Sequence, residues 1–183
     1  MGMGVDMDLR NMDETLGFTG RSTLRAFQRG VIGELLKRGM ALDEAVKQAI
    51  RDGYCVHENT VNNLVVTIGK QLVGDLMIGA VATGLTYYAI GTGTTAPALT
   101  DVKLQTEVAR KEVTLKTRTG LTLTLSVFFT AANCSFYLQE AGVFGGAASA
   151  VADSGTLFSH FLQAYDNSAG LHDLSFEYNV EVK

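Results

Sequence analysis

The chain has no tryptophan, a single proline (Pro97) and only two cysteines in 183 residues. Cys55 and Cys134 fall in different halves, which excludes a dense disulfide framework and a short-spaced thiolate metal site. Basic charge is not in excess: 15 Lys and Arg against 19 Asp and Glu give a net charge of -4. The sequence therefore has no general electropositive footprint for a nucleic-acid backbone. The densest basic group, Arg21, Arg25, Arg29, Lys37 and Arg38, is interleaved with apolar positions and reads as a solvated face. No stretch reaches the roughly 18 apolar residues a membrane span requires, because the longest candidate, 64–85, is broken by Lys70, Gln71 and Asp75. The first eight residues lack a basic n-region and an apolar h-region, so no signal peptide is expected. These absences lead to the expectation of a protein assembled in the cytoplasm, with no nucleic-acid partner, no membrane partner and no cofactor.

What is present divides in two. A hydrophobic content of 46% fills a real core, and strand-forming, Thr-rich, Gly-punctuated sequence dominates from Leu85 onward. Residues 1–20 mix Gly, Met and acid without a stable period, as an arm that is flexible or folds on a neighbour would. Leu24, Phe27, Val31 and Leu35 then predict a helix over 23–38, closed by Gly39. A second helix follows, capped by Asp43, with Ala45, Val46, Ala49 and Ile50 on one side and Gly53 at its end. A third, capped by Asn59 or Thr60, runs along Val61, Leu64, Val65, Ile68, Leu72, Leu76 and Met77; Gly74 and Gly79 mark close packing at its far end.

Beyond Gly84 the period changes to two. Strands are expected at 85–90, 134–144, 156–164 and 171–182, and a hairpin over 113–129. Placing Leu115 opposite Leu123 predicts a three-residue loop, Arg118-Thr119-Gly120, with Gly120 in the left-handed region. In the last strand Leu174, Phe176, Tyr178 and Val180 share a buried face and Glu177, Asn179 and Glu181 a wet one. The fold class is α+β: N-terminal helices followed by an antiparallel, jelly-roll-like β-sandwich. The chain divides into an attachment region, 1–58, and a helix plus β-sandwich oligomerisation module, 59–183.

Chemistry-bearing residues are sparse. The loop Gly91-Thr92-Gly93-Thr94-Thr95-Ala96-Pro97 lacks the Gly-Lys-Ser/Thr ending of a phosphate-binding loop and the GxGxxG of a dinucleotide site. Cys55 and His57, two apart, are expected to point away from each other and so not to act as nucleophile and base. Glu107, Arg110 and Glu140 sit among apolar or small neighbours, where Arg110 is expected to bridge strands or subunits through a carboxylate. Asp101, Asp153 and Asp173 lie beside turns, where an Asp side chain satisfies backbone donors. Most aromatics, among them Tyr87, Tyr88, Phe129, Phe161 and Phe176, match core alternation.

The run LTYYAIGTGTTAPALTDVKLQTEVARKEV, a hairpin, YLQEAGVFGG, SGTLFSHF and YDNSAGLHDLSFEYNVEV together resemble a widespread class of tailed-bacteriophage virion proteins. In that class a helix similar to NLVVTIGKQLVGDLM leads into an xGTGTTAP…D…L…E…R segment and a later EAG(L/V)F strand. The resemblance covers 63–183 and implies a non-enzymatic, symmetric homo-oligomer of the particle, head- or tail-associated, without catalytic, cofactor or metal residues. It gives Glu107, Arg110 and Glu140 architectural roles; Gly91, Gly93, Gly120 and Gly142 are expected as turn positions. Residues 1–58 lie outside it and are expected to dock on a capsid, connector or tail neighbour. The alternative is a receptor- or host-glycan-binding appendage using loops such as 145–153; a wall-degrading hydrolase would need Glu107 and Glu140 flanking an open cleft.

Overall fold

A strand, not a helix, opens the chain in this computed structural model, whose described residues are 17–183. The first sixteen residues of the expected arm lie outside them, and 18–20 begin β1 (Phe18–Gln28). Leu24 and Phe27 suggest a helix because they are three apart, but on a strand that spacing places them on opposite faces. Both are fully buried, in different cores. Helix forms only afterwards, in α1 (Val31–Lys37) and α2 (Leu42–Arg51), which lie between β1 and β2 (Cys55–Asn62). The expected second helix is α2, with Ala45, Val46 and Ala49 buried; Gly39 and Gly53 follow the two helices with positive φ.

The expected third helix is shorter at its start. Val61 belongs to β2, Leu64 and Val65 form β3, and α3 spans Thr67–Met77. The close approach on α3 is made by Gly69, whose hydrogen faces the Phe158 backbone where a Cβ would come within 2.3 Å of its carbonyl oxygen; Gly74 faces open space. The remaining strands are β4 (Leu85–Gly91), β5 (Glu107–Glu112), β6 (Leu115–Thr119), β7 (Thr122–Phe129), β8 (Tyr137–Gly145), β9 (Thr156–Asp166) and β10 (His172–Val182).

They build two five-stranded sheets with every pairing antiparallel, in the orders β2-β1-β10-β7-β6 and β3-β9-β8-β4-β5. Leu24, Val127, Phe129, Phe176 and Tyr178 of the first sheet pack on Tyr88, Ile90, Val143, Phe158 and Phe161 of the second. Tyr88 lies 4.8 Å from Phe176, and Phe161 stacks on Tyr178 at 6.1 Å. A polar seam crosses this core: the Ser22 hydroxyl meets the Tyr88 hydroxyl at 2.9 Å and donates to Gln163, whose amide nitrogen donates back to the carbonyl of Ser22 and to that of Asn59. The outer face of the first sheet is covered by α1 and α2 through Phe27, Ile32, Leu42, Val46 and Phe128.

The hairpin differs from expectation by a register shift of three residues, an odd number that reverses which face of β6 meets the leucine row. Thr119 pairs with Thr122 and Leu115 with Ser126, leaving a two-residue turn, Gly120-Leu121. Gly120 has φ 59, as the primed turn with glycine in its first central position requires. The shift turns Leu115 away from the leucine row of β7, so Leu125 and Val127 face the core while β6 is an exposed edge.

The expected division at 58/59 falls inside β2, and β1 pairs with β10 along all eleven of its residues, from Phe18 opposite Val182 to Gln28 opposite His172. Residues 18–62 are thus two strands of the sandwich with a helical insertion between them. A chain of 59–183 alone would expose the whole β10 edge and the inner face of Phe176 and Tyr178. It is expected to show no cooperative urea transition where the full chain shows one; a native-like transition in the fragment would refute the continuous first sheet.

Candidate functional site

The charged residues singled out from the sequence, Glu107, Arg110 and Glu140, lie on the outer face of the second sheet. The segment 92–106, between β4 and β5, folds back across that face and buries Leu104 to 1% exposure. Leu104 fits because Gly142 is directly beneath it: a Cβ on Gly142 would lie 2.9 Å from the Leu104 side chain and 2.9 Å from the Ser159 carbonyl oxygen. Gly91 and Gly93 make the same kind of room for the Glu140 side chain, with virtual Cβ positions 2.7 and 2.4 Å from its Oε1. Register explains the convergence, since Gly91 of β4 is opposite Glu140 of β8 on one side and Glu107 of β5 on the other.

Glu140 is fully buried. Its Oε1 accepts from the backbone N–H of Gly93 at 3.0 Å and of Thr106 at 2.6 Å, and its Oε2 accepts from the N–H of Gln105 at 2.9 Å. The remaining acceptor position meets His160 Nε2 at 3.1 Å. His160 reaches the other way with Nδ1, 2.7 Å from Asp101 Oδ2. Asp101 also accepts from the Ala98 N–H, as a turn-side Asp does. An imidazole with a carboxylate oxygen at each nitrogen makes both bonds only as the doubly protonated cation.

The pKa directions agree with this arrangement. Burial works against the His160 imidazolium, but the hydrogen bonds to Glu140 and Asp101 outweigh it and raise His160 above its ordinary value. Burial likewise raises Glu140, and the hydrogen bonds from His160, Thr106, Gln105 and Gly93 overcome that and hold it below the usual carboxylate value.

A second node fixes the neighbouring loop. Arg110 and Glu107, each 3% exposed at the side chain, form a two-pronged pair with Nε to Oε1 at 2.6 Å and Nη2 to Oε2 at 2.7 Å. Arg110 Nη1 donates to the carbonyl oxygens of Ser149 and Ser154 and to the Ser154 hydroxyl, each at 3.0 Å. Its guanidinium lies 4.5 Å above the Phe144 ring. The loop 146–155 is thereby tied to β5, and Lys103 joins it to the 92–106 segment through Asp153 at 3.0 Å.

The residues singled out from sequence therefore do not form one cluster of charges. Gly91, Gly93, Gly142 and Glu140 converge, Glu107 and Arg110 pair beside them, and Gly120 is remote at a hairpin tip. Glu107 and Glu140 have separate partners and do not face each other across an open cleft. Of the turn-side acids, Asp173 reaches beyond its own turn, accepting from the N–H groups of Gly30 and Ala131. Cys55 and His57 correct the sequence reading, because β2 places residues two apart on the same face. The Cys55 thiol donates to the His57 carbonyl, while the His57 ring lies 4.8 Å from Tyr165.

Sequence reasoning missed His160 and the second role of Asp101. The available signal is a histidine in the otherwise buried strand TLFSHFLQAY, which hairpin pairing places opposite Gly142, two residues from Glu140. Comparison with protein-family models, curated proteins and solved structures finds no match to this chain.

Chemically, the arrangement is a clamp. A carboxylate offers about four acceptor positions, and the four donors named above occupy them. Glu140→Gln puts an amide NH₂ where two donors converge and removes the charge facing His160. It is expected to cost about 3 kcal/mol, the lower end for breaking a buried pair, and to lower Tm by roughly 10 °C in a chain of this size; calorimetry checks it. The pH dependence follows from the two directions. The His160 contribution is present below its ordinary value of 6.5 and lost as pH rises through the raised folded value. The Glu140 contribution is present above 4.5 and lost as pH falls through the lowered folded value. Urea stability is expected to be highest between 4.5 and 6.5 and to decline on both sides, with the alkaline decline flattened in His160→Gln.

Proposed function

We propose that this protein is a non-enzymatic structural subunit of a tailed-bacteriophage particle, a symmetric homo-oligomer associated with the head or tail. The observation that carries the reading is the use made of the residues in the phage-like motif. Gly91, Gly93, Glu140 and Gly142 seat the 92–106 segment on the sheet, and Glu107 with Arg110 fixes the loop beside it. Motif positions in this chain thus serve rigidity, which a subunit repeated in a particle requires. The sandwich is jelly-roll-like in this reading, because the chain changes sheets repeatedly, at β2 to β3, β5 to β6, β7 to β8 and β9 to β10.

Its partners are further copies of itself and a capsid, connector or tail protein of the same particle. The test is quantitative mass spectrometry of gradient-purified particles from the phage encoding the chain, combined with reconstruction of the particle. The expected result is a fixed copy number that is a multiple of three, five, six or twelve, with density for the sandwich at the corresponding symmetry axis. Purified, infectious particles lacking the chain would overturn the proposal. Saturable binding of the isolated protein to host glycans, without a place in the symmetric shell or tail, would favour the appendage function.

A further inference from the structure

Among the described residues, β6 ends the first sheet and nothing pairs its outer edge. A groove of about 480 Å³ lies between β6 and the start of β4, lined by Leu85, Leu123 and Leu125 with Lys116 and Arg118 beside them. Register places the two cations on the leucine face, with Lys116 opposite Leu125 and Arg118 opposite Leu123. Among the described residues the edge is therefore a strand with no partner, with an apolar floor and a cationic rim.

The chain carries a segment of matching character. Taken alone, its first ten residues alternate strictly: Met1, Met3, Val5, Met7 and Leu9 against Gly2, Gly4, Asp6, Asp8 and Arg10. This is the period of a half-buried strand, visible once the less regular residues 11–20 are set aside. Residues 1–16 hold four acids, Asp6, Asp8, Asp13 and Glu14, against the single base Arg10, opposite in sign to the β6 rim.

Geometry distinguishes the same chain from a neighbouring one. Gly17 exchanges both backbone hydrogen bonds with Lys183 at the end of the sheet where β6 also finishes. Reaching the outer side of β6 from there means crossing β10, β7 and β6, about 19 Å at ordinary strand spacing, which six extended residues spanning about 20 Å just cover. A segment arriving from that end would run parallel to β6, whereas every pairing in both sheets is antiparallel. A neighbouring copy is free of that constraint and can deliver it antiparallel, the more stable pairing.

We propose that residues 1–10 of one copy dock along the β6 edge of another as an added strand, with Met and Val side chains in the groove and the net negative charge of residues 1–16 favoured by the cationic edge rather than by face-to-face pairing. This rests on the homo-oligomeric reading and names its contact.

The test uses the full chain and a variant lacking residues 2–10, compared by analytical ultracentrifugation. The full chain is expected to self-associate, and removal of 2–10 to raise Kd by about 100-fold. Lys116→Glu with Arg118→Glu should weaken association about tenfold, in the folded protein as judged by circular dichroism. In a Cys55→Ser background, one pool carries Val5→Cys and another Thr117→Cys; after mixing, a short bismaleimide should join the two. A full chain monomeric at all concentrations would overturn this inference and the oligomeric reading together. Unchanged association without 2–10, or cross-linking only when both cysteines share one chain, would overturn this inference alone.

Discussion

A carboxylate taken out of water costs several kcal/mol unless its surroundings return the lost solvation, and at Glu140 they do so from three directions. Gly93 comes from the beginning of the returning segment, Gln105 and Thr106 from its end, and His160 from the neighbouring strand β9. One side chain on β8 thus closes a loop of more than ten residues by holding its two ends together over the sheet. The segment between those ends has few apolar anchors of its own apart from Leu104. Its order follows from the carboxylate: remove the acceptor, and three converging N–H groups lose the partner that offsets their burial.

This constraint determines residues that otherwise look unrelated. Glycine is required at Gly93 because the carboxylate occupies the space of a side chain, at Gly91 because the Thr106 carbonyl and the carboxylate do, and at Gly142 because Leu104 and the Ser159 carbonyl do. The expectation of turns at these three positions is corrected: Gly91 ends β4 and Gly142 lies within β8, none of the three has positive φ, and of the four only Gly120 sits where a turn itself demands glycine. Asp101 then contributes twice, through its turn with Ala98 and through His160. Arg110 repeats the principle on the adjacent loop with opposite charge: a buried cation collects two carbonyls, a hydroxyl and a carboxylate. Lys103 and Asp153 then bridge the two loops.

The C-terminal strands are plain in the sequence and the N-terminal ones obscure, for a physical reason. In β10 one face is core and alternation is clear, with Leu174, Phe176, Tyr178 and Val180 all buried. In β1 both faces are covered, one by the opposite sheet and one by α1 and α2, so Leu24, Ala26 and Phe27 are all buried and the period of two is erased. The residue at the centre of the clamp is legible as an isolated buried acid, but its partners are not, since three are backbone N–H groups and leave no compositional trace. The hairpin shows a further limit. Two apolar rows suggest a shared face, yet β6 is an edge whose inward positions hold Lys116 and Arg118, a familiar means of discouraging indiscriminate edge pairing.

Polar interactions are therefore distributed unevenly over the molecule. The outer face of the second sheet combines two buried ionic nodes and their bridge with a small apolar cluster of Val66, Ala89, Leu104, Phe144 and Leu157, whereas that of the first sheet has an apolar helical cover. Between the sheets, Ser22, Tyr88 and Gln163 set their relative alignment through directional bonds that a purely apolar interface would lack. Among the described residues, what has no partner along β6 is a strand edge carrying cations over leucine. Such an edge accepts a partner strand only if it supplies apolar side chains at every second position and negative charge nearby. Rigidity on the faces concentrates the potential for assembly at the edge, where backbone groups still require partners.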